Sequence, residues 1–252
     1  MAGLVASGGS QNFLGARWVA LTVRHAPARW QRHVALRFLA LSPHYFYADD
    51  REAETDRNRR SRAKLVDDLL TAFLRSDMRV IDYGCGPGYW ANAVASRVAT
   101  VEAVDISIGV LACADILNGA LNITYETPAE CAQRTETADL AYSFAVVQHM
   151  SDATLIGVLA TLRDRLRPNG TLLIHFALPG NGWRTEQEWR DDSTLRGRVK
   201  LRVGLNCFGR TADKMTQLLH QAGFRDVRIE ALAERTKVDD DIARQHWAIA
   251  QC

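Results

Sequence analysis

Several features that would indicate a membrane, metal or disulfide protein are missing from this sequence. The 252 residues contain no apolar run of about 18 residues, so no membrane-spanning helix is expected. The five cysteines form no C-x-x-C pair, and we predict reduced thiols, no metal site and a cytoplasmic location. The net charge is only +2, so bulk charge implies no polyanionic partner.

Acidic residues are also missing from the first 48 positions, which contain five arginines among many apolar residues. The apolar spacing predicts one or two amphipathic helices with a break at Pro27. Three interpretations are open: a cap packed on the rest of the protein, a basic surface that contacts an anionic membrane through residues 12–40, or an organelle transit peptide. We assign residues 1–60 to a basic N-terminal extension and helical cap, and residues 61–252 to the main domain.

The most informative segment is a glycine-rich run that follows a β-branched, apolar stretch. Residues 80–88 read V-I-D-Y-G-C-G-P-G, which is a strand pattern followed by alternate glycines. Alternate glycines let the backbone turn sharply and approach a ligand with no Cβ in the way. A second strand pattern then ends at Asp105, where a carboxylate can accept hydrogen bonds from ribose hydroxyls.

With Asp82 before the glycines and Asp105 after them, the run resembles the first motif of class I S-adenosylmethionine-dependent methyltransferases. Two later blocks extend the resemblance over residues 60–252: a strand and helix start at 139–150, and a Pro-Asn-Gly turn with its strand at 166–174. The resemblance implies an enzyme that moves a methyl group from S-adenosylmethionine to a small molecule. The favoured acceptor is a hydroxyl of a sugar, a phenol or a lipid-linked metabolite.

Strand patterns that alternate with helical stripes predict an α/β fold. We expect a doubly wound, mostly parallel seven-stranded sheet with helices on both faces, and a ligand crevice beyond the carboxyl ends of the strands. The resemblance implies these cofactor-binding residues: Tyr47, Asp82, Gly84, Cys85, Gly86, Gly88, Asp105, Ile106, Thr127, Ser143 and Phe144. Thr127 stands near the position where the family commonly has an aspartate for the adenine amino group.

Two histidines are candidate general bases, because a hydroxyl acceptor must lose a proton during the transfer. His149 lies one turn past the predicted fourth strand, and His175 lies near the end of the fifth. An imidazole accepts a proton near neutral pH. Each histidine also has a packing interpretation: His149 would tie a helix to a loop, and His175 would belong to the core.

A long connection at 177–210 separates the fifth strand from the next predicted helix. Long connections in compact domains are usually functional or disordered. This one has no acid between Asp192 and Asp213, and it carries aromatic and cationic residues: Trp183, Trp189, Phe208, Arg196, Arg198, Lys200, Arg202 and Arg210. We predict a substrate lid whose arginines receive an anionic group, with a solvated basic face as the alternative.

Two other functions remain open. Residues 86–91 also fit G-x-G-x-x-A, the fingerprint of an NAD(P)-dependent oxidoreductase, in which Asp105 would bind the cofactor ribose. The second alternative function is that of a non-catalytic, methyltransferase-like binding protein. Residues 143–146 read S-F-A-V, so the N/D-P-P-Y/F motif of many enzymes that methylate nucleobase amines is missing. We therefore favour a small-molecule substrate over nucleic acid, and the oligomeric state is left open.

Overall fold

The structure, a computed structural model, describes residues 15–39, 50–180, 183–203, 207–237 and 245–252. Tyr47, one of the predicted cofactor ligands, lies outside the described residues. The helices within the described ranges are α1 Ala16–His25, α2 Ala28–Leu39, α3 Arg51–Leu69, α4 Tyr89–Ala95, α5 Ile108–Asn118, α6 Pro128–Gln133, α7 Asp152–Arg165, α8 Glu186–Arg190, α9 Leu195–Val203 and α10 Ala212–Gln221. The strands are β1 Arg79–Tyr83, β2 Thr100–Val104, β3 Ile123–Glu126, β4 Ala138–Ser143, β5 Leu166–Phe176, β6 Arg225–Ala231 and β7 His246–Gln251.

The strands form one seven-stranded sheet in the order β3-β2-β1-β4-β5-β7-β6. The first five strands of this order pair in parallel, whereas β7 runs antiparallel to both β5 and β6. The chain builds outward from β1 to β3 and then returns to the other side of β1 with β4. Such a reversal opens a crevice at the carboxyl ends of the strands. The predicted mostly parallel, doubly wound sheet is confirmed.

Alternation along the strands sorts the core onto the two faces of the sheet. Val80 and Leu140 pack with residues of α3 and α4 on one face. Ile81 and Ala141 pack with α7 and α10 on the other face. The leucine stripe predicted for α7 is buried there, and Leu159 is 0% exposed. Helices therefore cover both faces, as the sequence predicts.

The mixed-charge run after residue 50 belongs to the same helix as the apolar stripe that follows it. Asp50 begins α3 by accepting hydrogen bonds from the N–H groups of Glu52 (2.9 Å) and Ala53 (3.1 Å). The apolar end of α3 buries Leu65 and Val66. The predicted boundary between residues 60 and 61 thus falls inside one continuous helix.

The two N-terminal helices pack against α5. Val19 and Val23 of α1 and Leu36 of α2 form a buried cluster with Cys113 of α5. Gly109 permits the close approach, because a Cβ there would lie 3.1 Å from Val19. This arrangement is the one that the cap interpretation describes. Among the residues that the structure describes, no helix has both the length and the apolar character needed to cross a membrane.

Leu159 gives a direct test of the two-faced core. Because its side chain is fully buried between α7 and the sheet, Leu159→Ala should lower the free energy of unfolding by about 2–5 kcal/mol. Urea titration followed by circular dichroism would measure the change. Leu121 is fully exposed, so the matched control Leu121→Ala should change stability by less than about 0.5 kcal/mol. Equal stability losses would contradict the assigned core.

Candidate active site

The glycine-rich loop after β1 is held against the end of β2 by backbone hydrogen bonds. The N–H groups of Gly84 and Cys85 both donate to the carbonyl oxygen of Val104, at 2.7 and 2.9 Å. The N–H of Gly86 donates to Oδ2 of Asp105 at 3.1 Å. The loop and the acid that the sequence singles out therefore form one structural unit. Cys85 is buried within it.

The three glycines of this loop all adopt left-handed backbone conformations, but their surroundings differ. Their φ angles are +85° at Gly84, +51° at Gly86 and +80° at Gly88. A Cβ at Gly84 would overlap the side chain of Val146, and one at Gly88 would overlap the ring of Tyr125. A Cβ at Gly86 would meet no atom within 4 Å. Gly84 and Gly88 are therefore required by packing, whereas Gly86 borders open space that a ligand can fill.

The Asp105 carboxylate is buried and already partly engaged. It accepts a hydrogen bond from the Ser107 N–H at 2.9 Å, besides the one from Gly86. Burial raises the pKa of Asp105 to about 6, although both hydrogen bonds act in the opposite direction. A carboxylate has about four acceptor positions, so two remain for the hydroxyls of a ligand. The next residue, Ile106, is 64% exposed and offers an apolar flank beside the acid.

Asp82 is a second buried acid beneath the loop. It is 2% exposed, and Oδ2 has no hydrogen-bond partner among the described residues. Burial raises the pKa of Asp82 to about 7, and the charge of Asp105 adds to this shift. Ser143, 1% exposed, likewise has an Oγ without a partner in the described part of the chain. These polar atoms fit a ligand that brings hydrogen-bonding groups of its own.

Aromatic rings fill the space between the ends of β4 and β5. Phe144 stacks on Trp90 with ring centroids 4.2 Å apart, and it also contacts His175 at 4.2 Å and Trp247 at 5.9 Å. His175 is 0% exposed, and its Nδ1 accepts a hydrogen bond from the Ala145 N–H at 3.3 Å. Ala145 has a φ of +59°, a strained conformation for a residue with a side chain. His175 thus has the environment of a core residue that supports the turn after β4.

His149 has a more open environment. It ends the 3₁₀ turn Val147–His149 that follows β4, and it is half-buried. Its Nδ1 lies 3.7 Å from Sγ of Cys207, which comes from the far end of the 177–210 connection. The Phe208 N–H donates to the Gln148 carbonyl at 2.7 Å, so this connection is fixed beside the turn. Of the two histidines, His149 is partly exposed, whereas His175 is fully buried.

Thr127 begins helix α6 and is engaged locally. Its Oγ1 accepts a hydrogen bond from the Glu130 N–H at 3.3 Å, while the Glu130 carboxylate accepts from the Thr127 N–H at 2.7 Å. This capping box stabilises the helix start. The predicted role of Thr127 in adenine binding would therefore use a hydroxyl that already has a structural partner.

The 177–210 connection contains α8 and α9 and is closed at its base. The Arg210 N–H donates to the Ala177 carbonyl at 2.8 Å, and the Gly209 N–H donates to the Arg184 carbonyl at 2.7 Å. Trp189 and Phe208 are buried inside the connection. These two aromatic rings are therefore packing residues of the predicted lid.

The structure corrects the prediction that Arg210 receives a substrate anion. This arginine is 3% exposed and pairs with Asp152 at 2.9 Å. It also donates to the carbonyl oxygens of Val147 (2.9 Å) and Met150 (2.5 Å). Its guanidinium is thus committed to the turn after β4, because burial without these partners would be costly. Arg196 and Arg198 of α9 are exposed.

A buried ionic cluster on β2 and β3 has no counterpart in the sequence-based predictions. Glu102, Glu126 and Cys131 offer ligand atoms within 4.8 Å of one another. Two arginines balance the carboxylates: Arg165 pairs with Glu102 at 2.7 Å, and Arg134 pairs with Glu126 at 2.5 Å. The cluster is therefore electrically satisfied as an ion-pair network, and we assign it no metal. Only packing brings these residues together, so no local pattern could indicate it.

Comparisons with known proteins agree with this geometry. A family profile described as a methyltransferase domain matches residues 55–229. The ubiquinone biosynthesis O-methyltransferase of Dinoroseobacter shibae is 30% identical over 162 residues, which is 60% of this chain. The match spans 61% of the length of that relative.

Solved structures of methyltransferases share the fold. Phosphoethanolamine N-methyltransferase 2 of Haemonchus contortus, solved with S-adenosyl-L-methionine, has a TM-score of 0.52 and 18% identity over 76% of this chain and 52% of that one. Human N-acetylserotonin methyltransferase, also solved with the cofactor, has a TM-score of 0.51 and 17% identity over 92% of this chain and 65% of that one. At these identities the likeness concerns the fold alone.

The raised pKa of Asp82 predicts a pH-dependent stability of the ligand-free protein. The folded pKa of about 7 lies above that of an unfolded aspartate, so the group stabilises the fold at low pH and loses this contribution as the pH rises to 7. From about pH 5 to about pH 8, wild type should lose about 2–3 kcal/mol relative to Asp82→Asn, which cannot ionise.

Urea unfolding of both proteins at the two pH values would measure the difference. Asp105 titrates in the same window and interacts electrostatically with Asp82, so the difference measures the titration of Asp82 together with its coupling to Asp105. Parallel pH profiles for the two proteins would show that Asp82 titrates normally in the folded state.

Proposed function

This chain belongs to the methyltransferase domain family, and on that premise we propose that it transfers a methyl group from S-adenosylmethionine to a hydroxyl of a small molecule. The observation that carries the proposal is the unit formed by the glycine-rich loop and Asp105. In this unit, open space at Gly86 lies beside the buried carboxylate of Asp105, which can still accept hydrogen bonds from a ligand. Such a unit suits a nucleoside, whose ribose donates two hydroxyls.

We assign the predicted cofactor residues according to their surroundings. Asp105 would accept the ribose hydroxyls, and exposed Ile106 would lie against the adenine. Asp82 and Ser143 carry buried polar atoms at the ends of β1 and β4, where they would bind polar groups of the cofactor directly or through water. Phe144 would form a wall of the crevice.

The remaining predicted ligands contribute differently. Gly84, Cys85 and Gly88 would shape the loop, Thr127 would contact the adenine end, and Tyr47 remains a proposed ligand.

The bound cofactor supplies an activated methyl group on a sulfonium. The work left to the protein is to align the acceptor hydroxyl, exclude water and remove one proton. We propose His149 as the base, because it is half-buried at the end of β4, where strand ends border the crevice. His175 is fully buried, with Nδ1 engaged by the Ala145 N–H, so we assign it a positioning role.

The acceptor class follows from the relative with the O-methyltransferase name. The role in ubiquinone biosynthesis that this name states favours a phenol or a lipid-linked ring over a sugar.

Exposed Arg196 and Arg198 are the residues of the 177–210 lid that we propose for an anionic group of the substrate. The lid would belong to a catalytic domain at 61–252, with the N-terminal helices as its cap. The family match argues against the oxidoreductase alternative.

Cofactor binding can be tested at Gly86. Gly86→Ala places a methyl group in the open space proposed for the ligand, and it should weaken binding of S-adenosylhomocysteine by about tenfold or more, since a clash must be relieved. Isothermal titration calorimetry would measure the affinity. Gly15 also has a positive φ (+78°), and a Cβ there would meet no atom within 4 Å, so Gly15→Ala controls for backbone strain. Equal affinities for all three proteins would place the cofactor elsewhere.

Methyl transfer can be tested with purified protein, labelled S-adenosylmethionine and a panel of phenols, catechols and sugars, with mass spectrometry of the products. We expect O-methylated phenols. His149→Gln should lower kcat by about 10²–10⁴-fold at unchanged cofactor affinity and melting temperature. His175→Gln should instead lower the melting temperature. Cofactor binding without turnover on any acceptor class would favour a non-catalytic binding protein, and transfer to nitrogen alone would contradict the O-methylation proposal.

A further inference from the structure

The N-terminal helices have a second face that their packing on α5 leaves uncovered. Three large apolar side chains lie exposed on it: Trp18 is 54% exposed, Leu21 57% and Trp30 50%. Four arginines are exposed around them: Arg17, Arg24, Arg29 and Arg37. We call these seven residues the outer cap face.

Helical spacing shows that the outer cap face points away from the protein. In α1, Trp18 and Leu21 lie on the opposite side of the helix from buried Val19 and Val23. In α2, Trp30 lies opposite the buried side that includes Leu36. Both helices bury their inner sides against α5. Trp18 of α1 also contacts Phe38 of α2 edge to face, with ring centroids 5.7 Å apart, so the exposed sides of the two helices adjoin.

The charged residues of the outer cap face are all arginines, and the carboxylate of Glu130 at the start of α6 lies within electrostatic range of Arg24. No acidic residue occurs before position 49 in the sequence. Arg32, at the edge of the helical pair, forms an ion pair with Glu52 of α3 at 2.5 Å. Within the described ranges, Arg17, Arg24 and Arg29 have no acidic group at ion-pair distance. A partner for this face must therefore bring negative charge and accept indole rings.

We propose that the outer cap face docks on the surface of an anionic lipid bilayer. Tryptophan favours the interface between headgroups and acyl chains, because its ring is apolar and its N–H is polar. Arginines close to an anionic leaflet are attracted by its negative surface potential. Apolar side chains flanked by cations are the pattern of a helix that lies in the interface plane. The binding needs no membrane-spanning segment, and it is independent of the proposed methyl transfer.

The test is co-sedimentation of the full chain with lipid vesicles at low salt. Wild type should bind vesicles containing about 30% phosphatidylglycerol at least tenfold more tightly than pure phosphatidylcholine, and about 0.5 M salt should remove the difference. The double variant Trp18→Ala/Trp30→Ala and the triple variant Arg17→Gln/Arg24→Gln/Arg29→Gln should each lose about tenfold or more in affinity. The matched control Leu121→Ala removes an exposed leucine outside the cap and should bind as wild type does.

Three results would overturn the proposal: no binding of wild type to anionic vesicles, equal binding to neutral ones, or unchanged binding of both cap variants. Melting temperatures within a few degrees of wild type would establish that the cap variants are folded. If sedimentation equilibrium instead shows a wild-type dimer that Trp18→Ala/Trp30→Ala dissociates, the face binds a second copy and the lipid proposal fails. Turnover of a water-soluble acceptor without vesicles should be the same in wild type and both cap variants, which separates this proposal from the catalytic one.

Discussion

The hydrogen bond from the Gly86 N–H to the Asp105 carboxylate joins two strand ends that are separated by a whole crossover helix. It closes the turn after β1 onto the end of β2, and Gly86 has there a φ of +51°, a conformation that glycine adopts freely. The same carboxylate accepts from Ser107, at the start of α5. One buried acid therefore fixes the loop, the helix start and the acceptor atoms offered to a ligand.

The same connection extends outward to the N-terminal helices. Ser107 caps α5 through its side chain, which accepts a hydrogen bond from the Val110 N–H at 3.3 Å. The far side of α5 carries Cys113 in the cluster with α1 and α2. The cap thus rests on the helix that begins beside Asp105, the residue proposed to bind the ribose. One side of this helical pair packs on α5, and the other side exposes arginines and tryptophans. The sequence-based interpretations of a cap and of a membrane surface are therefore compatible.

Local patterns predict the parts of this structure that depend on local order. Three sequence patterns have the periodicity of the element that they predict: the β-branched run before Asp82, the alternate glycines and the leucine stripe of α7. The strand, the turn and the helix all form as expected. Burial of polar groups is set by distant partners instead. The sequence predicts that Arg210 belongs to the lid and receives an anionic group. In the structure, Asp152 and the turn after β4 enclose it instead. His175 lies at a strand end, where Phe144 and Trp247 of the neighbouring β7 enclose its ring in the core.

The closed base of the 177–210 connection separates two kinds of sequence change. The backbone hydrogen bonds from Arg210 to Ala177 and from Gly209 to Arg184 fix where the connection leaves and rejoins the domain. Changes in length at exposed positions between these points leave the joined ends in place, and the entropy of closing a loop varies slowly with its length. The connection can therefore diverge between relatives while the cofactor half stays intact. If the connection acts as the proposed lid, changes within this one segment of the chain would be sufficient to alter the acceptor preference.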